Sequence, residues 1–179
     1  MTWEERLFEV FDDLEQQAEG LALRARDAEA SARARDLYTE VDLASRLHAS
    51  VGTSVELVVR GAGAVRGRLL RAANGWCLVE PADAAGQEVI VNLDGLLAAR
   101  GLTPRAAPVV VRGVAARLGI ASALRTVAAL QQDVVIVRVD GEVRRGRIAR
   151  VGADFAELTG EEGGVELVPM AAISVVRRL

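Results

Sequence analysis

Val65-Arg66-Gly67-Arg68-Leu69-Leu70-Arg71 and Arg144-Arg145-Gly146-Arg147-Ile148-Ala149-Arg150 are two versions of one segment, 79 residues apart counted glycine to glycine. The correspondence runs without a gap from Val55 against Val134 to Val79 against Leu158, setting Leu57 against Ile136, Leu69 against Ile148 and Trp76 against Phe155. Apolar residues fall at the same points in both copies, where a strand would face a core. The repeat therefore predicts two copies of one small β-module. In the first copy, strands are expected at about Ser54–Arg60, Val65–Arg71, Gly75–Val79, Glu88–Asn92 and Leu96–Ala99, with Gly61-Ala62-Gly63 as the first turn. In the second they are expected at about Val134–Val139, Val143–Val151, Phe155–Leu158, Val165–Val168 and Ile173–Val176, with Asp140-Gly141 as a two-residue hairpin signal.

The flanking segments read as helical. Thr2 followed by Glu5 is a capping-box pattern, and apolar residues then recur at spacings of four and three through Trp3, Leu7, Phe11, Leu14, Ala18, Leu21, Ala25, Ala28 and Ala32. This is the seam of a helical hairpin or coiled coil, closed by the chain's own barrel, by the following helix around Leu37 to Leu47, or by another subunit. Leu7, Phe11, Leu14 and Leu21 are its candidate self-association residues. Between the repeats, Thr103-Pro104 and Pro108 mark a connector with short helices at Val114–Leu118 and Ser122–Gln131, broken at Gly119.

Composition bounds the function. The chain has 179 residues, 51% of them hydrophobic, enough to bury a real core. All 22 basic residues are arginine, which fits a GC-rich coding bias as well as phosphate recognition. Residues 1–50 carry 12 acids and 6 arginines, net −6, and the remainder 13 acids and 16 arginines, net +3. That mild basic excess neither demands nor excludes nucleic acid. A single cysteine, Cys77, rules out an internal disulfide and fits a reducing compartment. The start lacks a basic segment followed by an apolar run, and no stretch approaches about 18 apolar residues, so a cytoplasmic protein without membrane association is expected.

A helix leading into five short strands, with a glycine in the middle of the second, resembles the Sm-like small β-barrel of the Sm proteins and bacterial Sm-like RNA chaperones. Gly67 and Gly146 stand where that family uses a glycine to bend the second strand, and Arg100-Gly101 is similar to the Arg-Gly of its second motif. The second copy has Arg177-Arg178 there. Where the family places an acidic residue of its RNA base pocket, this chain has Ala73 and Gly152, so the resemblance implies the fold and not that pocket. The fold class it implies is α+β: a helical hairpin over residues 1–50, a five-stranded Sm-like barrel over 51–102, a helical connector over 103–132 and a second barrel over 133–179. The resemblance also implies association by pairing of a fourth strand with a fifth, which points to Val89, Val91 and Val175 as candidate interface residues.

Arg66 and Arg68, like Arg145 and Arg147, lie two apart on one strand and so share its outward face, with Arg71 and Arg150 expected at the following turn. These six are candidate nucleic-acid contacts, tracking a phosphate backbone. The alternative is a solvated strand face whose arginines pair with Glu56, Glu142 or Glu157. Trp76 and Phe155 are expected in the core, with base stacking as the other use. His48 has no partner at a ligand or catalytic spacing, and no phosphate-cradling glycine pattern occurs, so no enzyme, cofactor, metal or small-molecule substrate is expected. The leading expectation is a cytoplasmic scaffold or adaptor that self-associates or binds a protein partner through its helix and strand edges. The rival is a single-stranded RNA-binding protein.

Overall fold

The structure, a computed structural model, describes residues 38–39, 41–105, 118–160 and 163–179. The chain divides into two compact units, Met1–Val41 and Asp42–Leu179, and the second unit holds both β-modules. The expected amino-terminal seam, with Leu7, Phe11, Leu14 and Leu21, lies outside the described residues, as does Val114 to Arg117 of the connector.

Asp42 caps a short helix, α1 (Leu43–Ala49), its carboxylate accepting the Ser45 backbone N–H at 2.6 Å. Five strands follow: β1 (Ser54–Val59), β2 (Gly63–Ala73), β3 (Trp76–Pro81), β4 (Val89–Asn92) and β5 (Leu96–Arg100), with a 3-10 turn at Leu93–Gly95 before the last. Helix α2 (Ile120–Ala129) begins at Gly119 and leads into β6 (Asp133–Arg138), β7 (Val143–Val151), β8 (Phe155–Thr159), β9 (Val165–Pro169) and β10 (Ile173–Arg178), again with a 3-10 turn, Met170–Ala172, before the last. Each strand lies within a few residues of its expected position. Beyond β3 and β8 the second copy is two residues shorter, so Ile90, Val91 and Asn92 correspond to Leu167, Val168 and Pro169.

The way the strands are joined overturns the expected fold class. All ten lie in one antiparallel sheet, in the order β5-β1-β2-β3-β4-β10-β6-β7-β8-β9, and the described residues are mostly β, with α1, α2 and the helical pair Tyr38 and Thr39 beside the sheet. Among the described residues the two modules are not separate five-stranded barrels, and the expected helical hairpin over residues 1–50 lies mostly outside them. The physical reason is the pairing of β4 with β10: Val91 lies opposite Val175, Ile90 opposite Val176 and Val89 opposite Arg177. Each five-stranded set alone would leave that row of backbone N–H and C=O groups unpaired beside apolar side chains. Val89, Val91 and Val175, expected at an interface between subunits, are therefore buried within one chain. The expected two-residue turn at Asp140-Gly141 is also longer, because Arg138 N–H donates to Glu142 O at 2.9 Å and leaves Val139, Asp140 and Gly141 in the loop.

Two cores interlock across this seam. One gathers Leu47, Val55, Leu57, Val59, Leu69, Cys77, Val79 and Val91 from the first half and takes Val175 from β10. The other gathers Leu124, Ile136, Ile148, Leu158, Val168, Ile173 and Val176 from the second half and takes Ala73, Trp76 and Ile90 from the first. A buried side chain of this size contributes roughly 1.5–3 kcal/mol, so the exchanged residues bind the halves into one unit. Asn92, 1% exposed, adds a polar lock: its amide Nδ2 donates to Met170 O at 3.0 Å and Ile173 O at 2.9 Å, and its Oδ1 accepts the Asp94 N–H at 3.2 Å. Asn92→Ala is expected to cost about 1–3 kcal/mol by removing the side-chain donor that Met170 O and Ile173 O share, leaving Met170 O with the Ile173 N–H, measured as a lower urea midpoint with an unchanged slope.

Gly67 and Gly146 allow the close strand crossing that curves each half. A Cβ on Gly67 would lie 2.0 Å from Glu80 O, and one on Gly146 2.2 Å from Thr159 O. Both contacts are with backbone, which cannot swing away. Gly67→Ala and Gly146→Ala should each destabilise the protein by about 1–3 kcal/mol or more, whereas Gly164→Ala, with nothing near its Cβ position, should be close to neutral; thermal unfolding of the three variants checks this.

Candidate functional site

Six arginines were singled out by the repeat, and all six are exposed. Arg66 and Arg68 flank Gly67 on one face of β2, as Arg145 and Arg147 flank Gly146 on β7. Arg71 and Arg150 do not stand at turns. They lie inside the strands, three residues beyond Arg68 and Arg147, where a regular strand would send them to the opposite face. A register shift between Leu69 and Arg71, and another between Ile148 and Arg150, keeps them exposed. The two trios stand on different strands, with β3, β4, β10 and β6 between β2 and β7 in the order of the sheet.

Half of this set is paired. Arg66 Nε donates to Glu56 at 2.7 Å, Arg150 Nε to Glu157 at 2.6 Å, and Arg147 Nη2 lies 3.4 Å from Asp133. Arg68, Arg71 and Arg145 have no carboxylate within ion-pair distance among the described residues. Glu56 also accepts from Arg100, and the hydrogen bonds from Arg66 and then Arg100 hold its carboxyl below the usual range. Glu142 pairs with Arg144 and not with any of the six, and Glu166 joins Arg138 and Arg144 into one network at 3.5 and 3.0 Å. The hydrogen bonds from Arg144 to Glu142 and from Arg150 to Glu157 raise the pKa of each guanidinium.

Trp76 is 8% exposed, and its indole Nε1 donates to Leu118 O at 2.9 Å, so it is core and not a stacking platform. Its counterpart Phe155 is half-buried, with its ring against Gly152. No group of three or more histidine, cysteine or acidic side chains able to hold a metal occurs among the described residues, and no helix among them is long and apolar enough to cross a membrane. Cys77 is fully buried, and desolvation pushes its thiol up to about 12. It should resist a thiol reagent at pH 8 in the folded protein and react fully once unfolded in guanidinium; a fast reaction with the native protein would contradict the burial.

The open surfaces lie at the ends of the sheet. Among the described residues β5 pairs with β1 alone and β9 with β8 alone. Leu97 on β5 is 59% exposed, and Val165 and Leu167 on β9 are 63% and 60% exposed on one face. The strongest contrast is with the seam. Trp76, Leu78 and Ile90 on the outer face of β3–β4 pack into the second core with α2, while the corresponding Phe155 and Leu167 of β8–β9 join neither core and Glu157 is covered only by Arg150 among the described residues. A cavity of about 580 Å³ also opens at the seam over Leu70, Leu78, Ile90, Val127, Val134 and Val176. Its rim carries Glu80 and Glu88 beside Arg177 and Arg178, so it selects no single sign of charge.

The sequence alone missed Asn92, Asp133 and Glu166. The signal for Asn92 was present as a polar residue closing an apolar strand, replaced in the second copy by Pro169. No protein-family model matches the chain, and no curated protein matches it in sequence.

Proposed function

We propose that this protein is a non-enzymatic, cytoplasmic scaffold that self-associates through the two ends of its sheet. The observation that carries the reading is the pair of edge strands, β5 and β9, that have no second strand partner among the described residues, with Leu97, Val165 and Leu167 exposed on them. An edge strand offers a row of unpaired backbone donors and acceptors, and proteins that remain monomeric blunt such rows with charge, proline or a covering element. Here β9 combines two exposed aliphatic side chains with one charged residue, Glu166, and a proline, Pro169, only at its last position. Light scattering of the purified protein is expected to give a discrete multiple of 19.0 kDa, and Val165→Lys with Leu167→Lys to reduce it to 19.0 kDa with an unchanged circular dichroism spectrum. A wild-type protein of 19.0 kDa at every concentration would overturn the reading.

A second reading, binding of single-stranded RNA, is favoured by one observation: Arg68, Arg71 and Arg145 are exposed and lack acidic partners among the described residues. It predicts co-purifying nucleic acid, an affinity that falls steeply with salt, and loss of binding on any sequence in Arg145→Ala with Arg147→Ala. Protein free of nucleic acid by absorbance ratio, with no binding at low salt, would remove it.

A further inference from the structure

We infer that the self-association is head-to-tail, with β9 of one copy adding antiparallel to β5 of the next in the register of the internal β4–β10 seam. The inference rests on the scaffold reading and fixes its geometry. The repeat supplies the template. β9 corresponds to β4, and β5 to β10, so the two free ends are the counterparts of the two strands that already pair inside the chain. Transferring the seam register sets Val168 opposite Ala98, Leu167 opposite Ala99 and Glu166 opposite Arg100, from the observed Val91–Val175, Ile90–Val176 and Val89–Arg177 pairs. Two of these pairs are apolar, and the third joins an acid to an arginine. In the seam that third place holds Val89 and Arg177; at the ends Arg100 already pairs with Glu56, and Glu166 with Arg138 and Arg144, so the contact between copies joins two existing ion-pair networks.

The faces match as well as the edges. Inside the chain the outer face of β3–β4, through Trp76 and Ile90, is covered by the second half with its helix α2. Head-to-tail addition brings α1 and β5 of the next copy to the corresponding Phe155 and Leu167. Near that end lie Leu43, 46% exposed, together with Leu97 and Leu102 around one concavity. A two-fold arrangement pairing β9 with β9 would set Glu166 near its own copy and leave the β5 edge open. Asn92 gives the internal seam a lock that the outer contact lacks, because its counterpart Pro169 has no amide to donate. The contact between copies is therefore weaker than the seam it copies, and it dissociates on dilution while the ten-stranded sheet stays intact.

The test is cysteine cross-linking in the full chain, where buried Cys77 does not compete. Ala99→Cys with Leu167→Cys, oxidised mildly with copper–phenanthroline, is expected to give a ladder of covalent multiples on a non-reducing gel, and Leu167→Cys alone to give none. Cross-linking of Leu167→Cys to itself would overturn the head-to-tail geometry in favour of two-fold pairing. A protein that is multimeric by light scattering yet gives no 99–167 cross-link would overturn the register and leave the scaffold reading standing. A monomer would overturn both.

Discussion

The pairing of β4 with β10 is the interaction on which the rest of this molecule depends. It turns two copies of a small module into one ten-stranded sheet, and it decides which apolar side chains have a place to go. Without it, Trp76 and Ile90 would stand on an outer face and Val175 on an open edge. With it, each half contributes side chains to the core of the other. Backbone pairing and apolar burial act on the same residues here, so neither can be lost alone.

The two halves are alike in backbone and unlike in what they expose. Gly67 and Gly146 admit the same close strand crossing, and the bulges before Arg71 and Arg150 match. The differences fall on the outer faces and at the ends. Where the first half has Trp76, Leu78 and Ile90, covered, the second has Phe155, Glu157 and Leu167, less covered; where the first has Asn92, the second has Pro169. Duplication of a module that pairs edge to edge leaves one seam inside and one unmatched edge at each end, and selection can then act on the inner and outer contacts separately.

The strands themselves were legible because alternation is a local signal, and the repeat read it twice: Leu57 with Ile136 and Leu69 with Ile148 locate the same positions in both copies. The joining of the strands was not legible, because nothing near Val89–Val91 or Ile173–Val176 names a partner; two apolar edges look the same whether they meet within one chain or between chains. The arginine spacing correctly placed Arg66, Arg68, Arg145 and Arg147 outward, since period two needs no tertiary knowledge. Arg71 and Arg150 were misplaced because a bulge is a mismatch between two strands and leaves little trace in either. Asn92 was overlooked for a related reason: its value lies in two carbonyls about 80 positions further on.

That separation carries a consequence for synthesis. Val91 and Val175 are 84 positions apart, so during translation at roughly 5–20 residues per second the β4 edge stays open for about 4–17 s before its partner strand has been made. Through that interval Val89, Ile90 and Val91 are an apolar strand whose seam partner does not yet exist. On a crowded polysome the neighbouring nascent chains carry the same bare edge, and β4 of one chain meets β4 of the next before either has a β10 to offer. The order of strands along the chain thus leaves the seam, the pairing of widest sequence separation in the sheet, to be closed only once the last strand has been made.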